Sequence, residues 1–165
     1  MSRILTLSSG GRLKITDTAW VKMVSLRQDT LRKKEAGGLL LGRQILESDD
    51  LVIDDVSTPV RGDTRARMRF VRSKRHQRFV DEAWAKSNGT RVYLGEWHTH
   101  PEGVPSPSSE DLRSWRKHLS DKQIHGEALF FVIVGVDAVR VWEGFRFQRS
   151  VNLIGEVCLH GQESD

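Results

Sequence analysis

The chain has a single cysteine, Cys158, among its 165 residues. No internal disulfide is possible, so packing must hold the fold, and nothing asks for an oxidising compartment; a cytoplasmic setting is expected. Cys158 falls in a late apolar run and reads as a small core residue. Long hydrophobic runs are lacking as well. The most apolar stretch, ALFFVIVGV, is too short to span a bilayer, and the opening MSRILTLSSGG has no sustained apolar core before its glycine pair. Neither an export signal nor a membrane partner is expected. Internal repeats, low-complexity tracts and interdomain linkers are also missing. With 38% hydrophobic and 29% charged residues, the composition is neither that of a disordered chain nor that of a fibrous one. One domain over residues 1–160 is expected, followed by a polar tail at 161–165.

Charge is moderate overall, +4, but unevenly spread. Arg61, Arg65, Arg67, Arg69, Arg72, Lys74, Arg75 and Arg78 face a single acid, Asp63, in the same segment. Such a zone reads either as a solvated strand and helix face or as a contact for an acidic partner, protein or nucleic acid.

Apolar spacing organises the rest. Thr16 and Asp17 can cap a helix in which Trp20, Met23, Val24, Arg27 and Leu31 recur at helical intervals, running for about four turns to the Gly37–Gly38 pair. LLLG, LVIDDV and RMRFV read as three strands. Residues Ser73 to Asn88 carry Phe79, Val80, Ala83 and Trp84 on one helical stripe, with Asn88 and Gly89 as the stop. The strand RVYLGEWH runs into the loop HPEGVPSPS, a third helix covers Ser108 to Asp121, and FFVIVG, VRVWEGF and VNLIGEV close the chain as strands.

The feature with most chemistry is HTHP, His98 to Pro101. Side chains alternate across a strand, so His98 and His100 leave the same face and present two imidazoles together. Two imidazoles do not fill a tetrahedral zinc site, and Asp111 is the nearest strong third ligand; one position would then stay open for water. Ser108-Ser109-Glu110-Asp111 is equally an ordinary capping sequence, with Ser108 as N-cap and an acid three residues on. Competing zinc signatures fail on spacing: HExxH is absent, and the deaminase pattern needs a CxxC pair that one cysteine cannot supply.

Taken together, Glu35 in EAGGLLLG, then His98-Thr99-His100-Pro101, then Ser108 to Asp111 resemble the pattern of the JAMM (JAB-type) zinc metalloproteases of the MPN domain class. The run GEWHTHPEGVPSPSSEDL is especially similar to the small bacterial members found beside cyclic-oligonucleotide (CBASS) antiphage systems. In those systems a ubiquitin-like machinery attaches a cGAS-like nucleotidyltransferase to targets, and the JAMM protein reverses the attachment. The resemblance implies an α/β fold, a mixed, mostly antiparallel sheet flanked by helices in cytidine deaminase-like layers, with one zinc at the sheet edge. It implies zinc held by His98, His100 and Asp111, Glu35 as the group that moves protons, and Ser108 as a donor to the developing oxyanion. The partner expected is a protein tail conjugated to a target, not nucleic acid. Alternatives remain a non-catalytic MPN scaffold and a basic nucleic-acid-binding module.

Other residues carry weaker signals. Glu35 also reads as a solvated acid near a helix C-terminus. Glu96 departs from the wider family, which commonly has an aromatic or apolar residue there; by parity it shares the histidine face, either orienting an imidazole, receiving substrate or lying at a solvated edge. Trp97 and Trp115 read as core or as groove walls. His76, His118, His125 and His160 lack partners at ligand spacing and read as surface residues.

Overall fold

A computed structural model describes residues 3–124 and 126–160. In chain order it has β1 (Ile4–Thr6), β2 (Arg12–Ile15), α1 (Asp17–Val24), β3 (Gly37–Gln44), β4 (Leu51–Val56), β5 (Thr64–Ala66) and β6 (Arg69–Val71). A 3-10 turn at Lys74–His76 leads into α2 (Gln77–Lys86), followed by β7 (Val92–Thr99), α3 (Ser109–Leu119), β8 (Ala128–Val134), β9 (Ala138–Phe145) and β10 (Val151–Cys158). Eight strands form one sheet in the order β1-β2-β4-β3-β7-β8-β9-β10, and β5 pairs β6 in a separate hairpin. Only β2 with β4 and β7 with β8 run parallel, so the sheet is mixed and mostly antiparallel, as expected.

Strand alternation builds a core on each face. Phe130, Val132 and Val134 of β8 join Trp20 and Met23 of α1 and Leu40 of β3 on one side. Leu129, Phe131 and Ile133 meet Trp115 and Leu119 of α3 and Trp142 of β9 on the other. Helices therefore cover both faces. Trp97 and Trp115, 1% and 2% exposed, belong to these cores; Trp97 Nε1 donates to the Ser57 carbonyl, 2.9 Å, and Trp115 stacks on Phe131 with ring centroids 4.6 Å apart.

The β7–β8 pairing places the site. Parallel neighbours need a crossover, and α3 supplies it. Leaving the end of β7, the chain turns through the proline-rich loop and enters α3 close to the point it left. Gly95, at φ +142°, lets β7 lie close against β8, because a Cβ there would run into the Phe130 carbonyl.

Several expectations are corrected. The first helix starts where expected, with Thr16 Oγ1 accepting the Ala19 amide, but stops at Val24. There the Ser25 hydroxyl donates to the Lys22 carbonyl, and the Leu26 and Arg27 amides turn back to Met23 and Val24. Leu31, expected on the buried stripe of this helix, is 83% exposed. RMRFV is not one strand, because Arg67 and Met68 form the turn between β5 and β6. Phe79 and Trp84 on α2 are exposed, 37% and 57%, and Ala83 is the stripe residue that is buried. The stop is as expected, with Asn88 at φ 58° and Gly89 at φ 80°. Cys158 is exposed, since parity on the end strand β10 turns Val157 inward instead. His76 is fully buried rather than on the surface, and His118 is half-buried against Glu96. His160 is exposed as expected; His125 and the tail at 161–165 lie outside the described residues.

Candidate functional site

Three side chains meet where β7 ends and α3 begins. His98 and His100 leave one face of the strand, and the capping box at the start of α3 orients the third. Asp111 N–H donates to Ser108 Oγ at 3.0 Å, and Ser108 N–H donates to Asp111 Oδ2 at 2.8 Å. The Ser108 cap and the aspartate that faces the histidines are thus one motif. His98 Nε2 and His100 Nε2 lie 3.0 Å apart, and Asp111 Oδ2 is 3.3 and 3.2 Å from them. Nδ1 of His100 faces Glu102 Oε1 at 3.1 Å, which fixes Nε2 as the nitrogen turned to the cluster. The cluster sits at the end of a central strand, not on an edge strand of the sheet.

This arrangement collects lone pairs. Two imidazole nitrogens and a carboxylate oxygen converge on one point, and a cation bound there would be held by all three. Nitrogen and oxygen donors in this number suit a divalent metal with a position left open. Burial pushes the Asp111 carboxyl up, but His100, His98 and the Ser108 amide outweigh it and hold it well below the usual range. His100 responds in reverse: burial pulls it down, Asp111 and Glu35 push it up, and the net shift is upward.

Glu35 reaches the same place from the segment just before β3. Gly37 is registered opposite His98 in the antiparallel pair, so the residues before β3 run alongside His100. Glu35 is 6% exposed, and burial raises its carboxyl to about 7 against the opposing pull of His100. It does not end a helix. Its amide donates to Ala66 O at 2.8 Å, and its carbonyl accepts from Arg65 Nε at 2.8 Å, so the β5–β6 hairpin holds it. Phe70 of that hairpin lies over Gly37, where a Cβ would come within 2.6 Å of its ring.

Around these groups is a cleft of about 540 Å³, with Met68, Phe70 and Arg72 on the hairpin side and Ser108, Ser114 and His118 on the α3 side. At its far end Glu96 pairs with Arg72 and with His118 Nε2, the latter at 2.9 Å. Burial raises the Glu96 carboxyl, yet His118 and Arg72 bring it down to about 2, and Glu96 in turn raises His118. Among the recorded bonds Glu96 touches neither His98 nor His100. It ties β7 to α3, and sequence reading missed His118 as its partner. A signal was present: His118 is seven residues past Asp111, two helical turns along the same face.

Much of the basic zone is engaged within the chain. Arg65, Arg67 and Arg75 donate to backbone carbonyls of Glu35, Leu31 and Arg61, Arg72 pairs with Glu96, and Arg78 with Glu82.

The chain belongs to the family of prokaryotic homologs of the JAB domain, whose model matches residues 19–150. Among its relatives, a Vibrio cholerae protein named CD-NTase/cGAS isopeptidase is 41% identical over 115 residues, 69% of this chain and 70% of that protein. An Escherichia coli protein of the same name is 35% identical over 132 residues, 79% of this chain and 80% of that protein. A Desulfitobacterium hafniense protein of known solution structure shares the fold, with a TM-score of 0.60 at 22% identity over 86% of this chain and 88% of that one.

Proposed function

We propose that the chain is a zinc-dependent isopeptidase. Its substrate would be a conjugate in which the C-terminal tail of a nucleotidyltransferase of the CD-NTase/cGAS type, or of a ubiquitin-like protein, is joined to a target amine. Its setting would be cytoplasmic CBASS antiphage signalling. The observation that carries this reading is the convergence of His98, His100 and Asp111 on one point, with the buried Glu35 carboxyl in the same cleft. The names of the relatives support the substrate class. Among the described residues no helix is long and apolar enough to cross a membrane.

The three ligands would hold one zinc, which when bound supplies a Lewis acid and lowers the pKa of water. Glu35 takes a proton from the attacking water and delivers it to the leaving amine. A carboxyl poised near neutrality by burial suits both transfers. The Ser108 hydroxyl accepts from Asp111 N–H and keeps its own proton to donate to the oxyanion that develops on the scissile carbonyl.

A non-catalytic scaffold would not need an inward-facing ligand set together with a buried carboxyl. A nucleic-acid module loses support because much of the basic zone is engaged within the chain. The test uses a CD-NTase from the same genome, fused through its C-terminus to a fluorescent protein. Cleavage at the junction, abolished by a chelator and restored by zinc, is the expected result. An intact fusion under zinc, or cleavage indifferent to chelation, contradicts the reading.

A further inference from the structure

Glu35 sits on a segment with no regular structure of its own, between α1 and β3, although a group that moves protons must be accurately placed. What fixes this segment is a buried polar clasp on the side of β7 away from the histidines. Thr99, the residue between His98 and His100, is fully buried and by strand alternation faces the opposite way. Its hydroxyl accepts the Ala36 amide at 3.0 Å and donates to Gln28 Oε1 at 2.9 Å, and its own amide donates to the Ala36 carbonyl at 2.8 Å. Gln28, 2% exposed, uses Nε2 to donate to the Lys33 carbonyl at 3.2 Å and the Arg67 carbonyl at 2.7 Å.

One amide side chain therefore joins three pieces of the site: the strand that carries both histidines, the loop that carries Glu35, and the turn of the hairpin that walls the cleft. All three groups on the Gln28 amide are matched, so the clasp has one arrangement and no spare donor. Neither Thr99 nor Gln28 lines the cleft.

We propose that Thr99 and Gln28 are positioning residues for proton transfer: they register the backbone next to Glu35 against β7 and so set the reach of its carboxylate. The inference rests on the reading of Glu35 as the proton carrier. Thr99→Val keeps the shape and removes the hydroxyl, Thr99→Ser keeps the hydroxyl, and Gln28→Met breaks the clasp from its other end. Each is compared with Glu35→Gln on the CD-NTase–fluorescent protein fusion, below the melting midpoint of every variant. Zinc content and exchange of the Ala36 amide are followed in parallel.

Thr99→Val and Gln28→Met are expected to retain zinc and a near-parental KM while kcat falls roughly 10- to 100-fold, the scale of a small misplacement of a reacting group. Exchange of the Ala36 amide should accelerate in Thr99→Val, and Thr99→Ser should restore both exchange and kcat. A folded, zinc-loaded Thr99→Val or Gln28→Met with parental kcat overturns the proposal, as does a Thr99→Ser as slow as Thr99→Val. Should Glu35→Gln itself turn over normally, the role given to Glu35 fails and the proposal falls with it. An inactive Glu35→Gln beside a fully active Thr99→Val defeats the clasp alone.

Discussion

Among the described residues, two buried or half-buried clusters combine histidine with aspartate, and they are resolved in opposite ways. In the buried cluster every polar side-chain atom has a partner: Ser57 Oγ lies 2.7 Å from His76 Nδ1 and His76 Nε2 lies 2.8 Å from Asp63, while Asp63 also accepts the Val60 and Ser73 amides. With His76 Nε2 donating to the Asp63 carboxylate, Nδ1 is left to accept the Ser57 proton, while Ser57 Oγ accepts the Leu39 amide. The His76 and Asp63 side chains are fully buried, and the group closes the base of the arm that carries the hairpin. At the cleft, His98 Nε2, His100 Nε2 and Asp111 Oδ2 converge on one another within 3.3 Å, beside an open cleft. A serine–histidine–aspartate chain thus makes a structural clasp here, and the cluster open to the cleft is the one proposed to hold the metal. Satisfaction of hydrogen bonds, not the residue types, separates the two.

The largest effect that sharpens this contrast belongs to Glu35→Gln. The amide is nearly isosteric and cannot carry the proton, so turnover should fall by roughly 100- to 10,000-fold with zinc retained. Steady-state kinetics beside metal analysis would show it, and parental turnover would remove Glu35 from the chemistry. Ser108→Ala comes next. If the hydroxyl serves the oxyanion as well as the helix, the rate should drop by roughly 100- to 1000-fold while the cap costs only about 1 kcal/mol of stability. A variant that melts earlier but cleaves at the parental rate when folded would leave Ser108 as a cap alone.

On the closed side, Ser57→Ala strands the Leu39 amide and His76 Nδ1 in a buried setting. About 1–3 kcal/mol of stability should be lost in denaturant unfolding, with zinc content and turnover of the folded protein unchanged. Loss of zinc in that variant would break the distinction between the two clusters.

The smallest effect is expected at Glu96, and it depends on pH. Its carboxyl is brought to about 2 and His118 is raised. The pair is therefore fully formed between the unfolded-chain values of about 4.3 for glutamate and 6.5 for histidine. Its contribution is lost as pH falls through the lowered Glu96 value, and again as pH rises through the raised His118 value. Glu96→Gln should remove on the order of 1 kcal/mol inside that window and less outside it, read from unfolding curves across pH. An equal loss at every pH would mean that packing, not the ion pair, is what the substitution disturbs.

The difference between what could and could not be read from the sequence follows the same physics. His98, His100 and Asp111 were legible because the strand period of two and a capping box are local rules, and α3 follows β7 after one short loop. Individual strands and helices were legible from apolar spacing, whereas their assembly into a mixed sheet flanked by helices was implied only by the family resemblance. Glu35 was picked out, but the helix expected to carry it ends at Val24; what holds it comes from Thr99, Gln28 and the hairpin, partners 30 to 71 residues apart along the chain. His76 was placed on the surface because Ser57 and Asp63 have no fixed spacing to it. Cys158 was placed in the core because it falls in a late apolar run, but on the end strand β10 alternation turns Val157 inward and leaves Cys158 exposed.

Metal analysis of the freshly purified chain by mass spectrometry, beside His100→Ala, tests the centre of this account most directly. About one zinc per chain is expected in the parent and none in the variant, because one ligand set is present among the described residues and two ligands do not hold the ion. A parent that contains no zinc and takes up none on addition, or a His100→Ala chain that keeps a full equivalent, would contradict it.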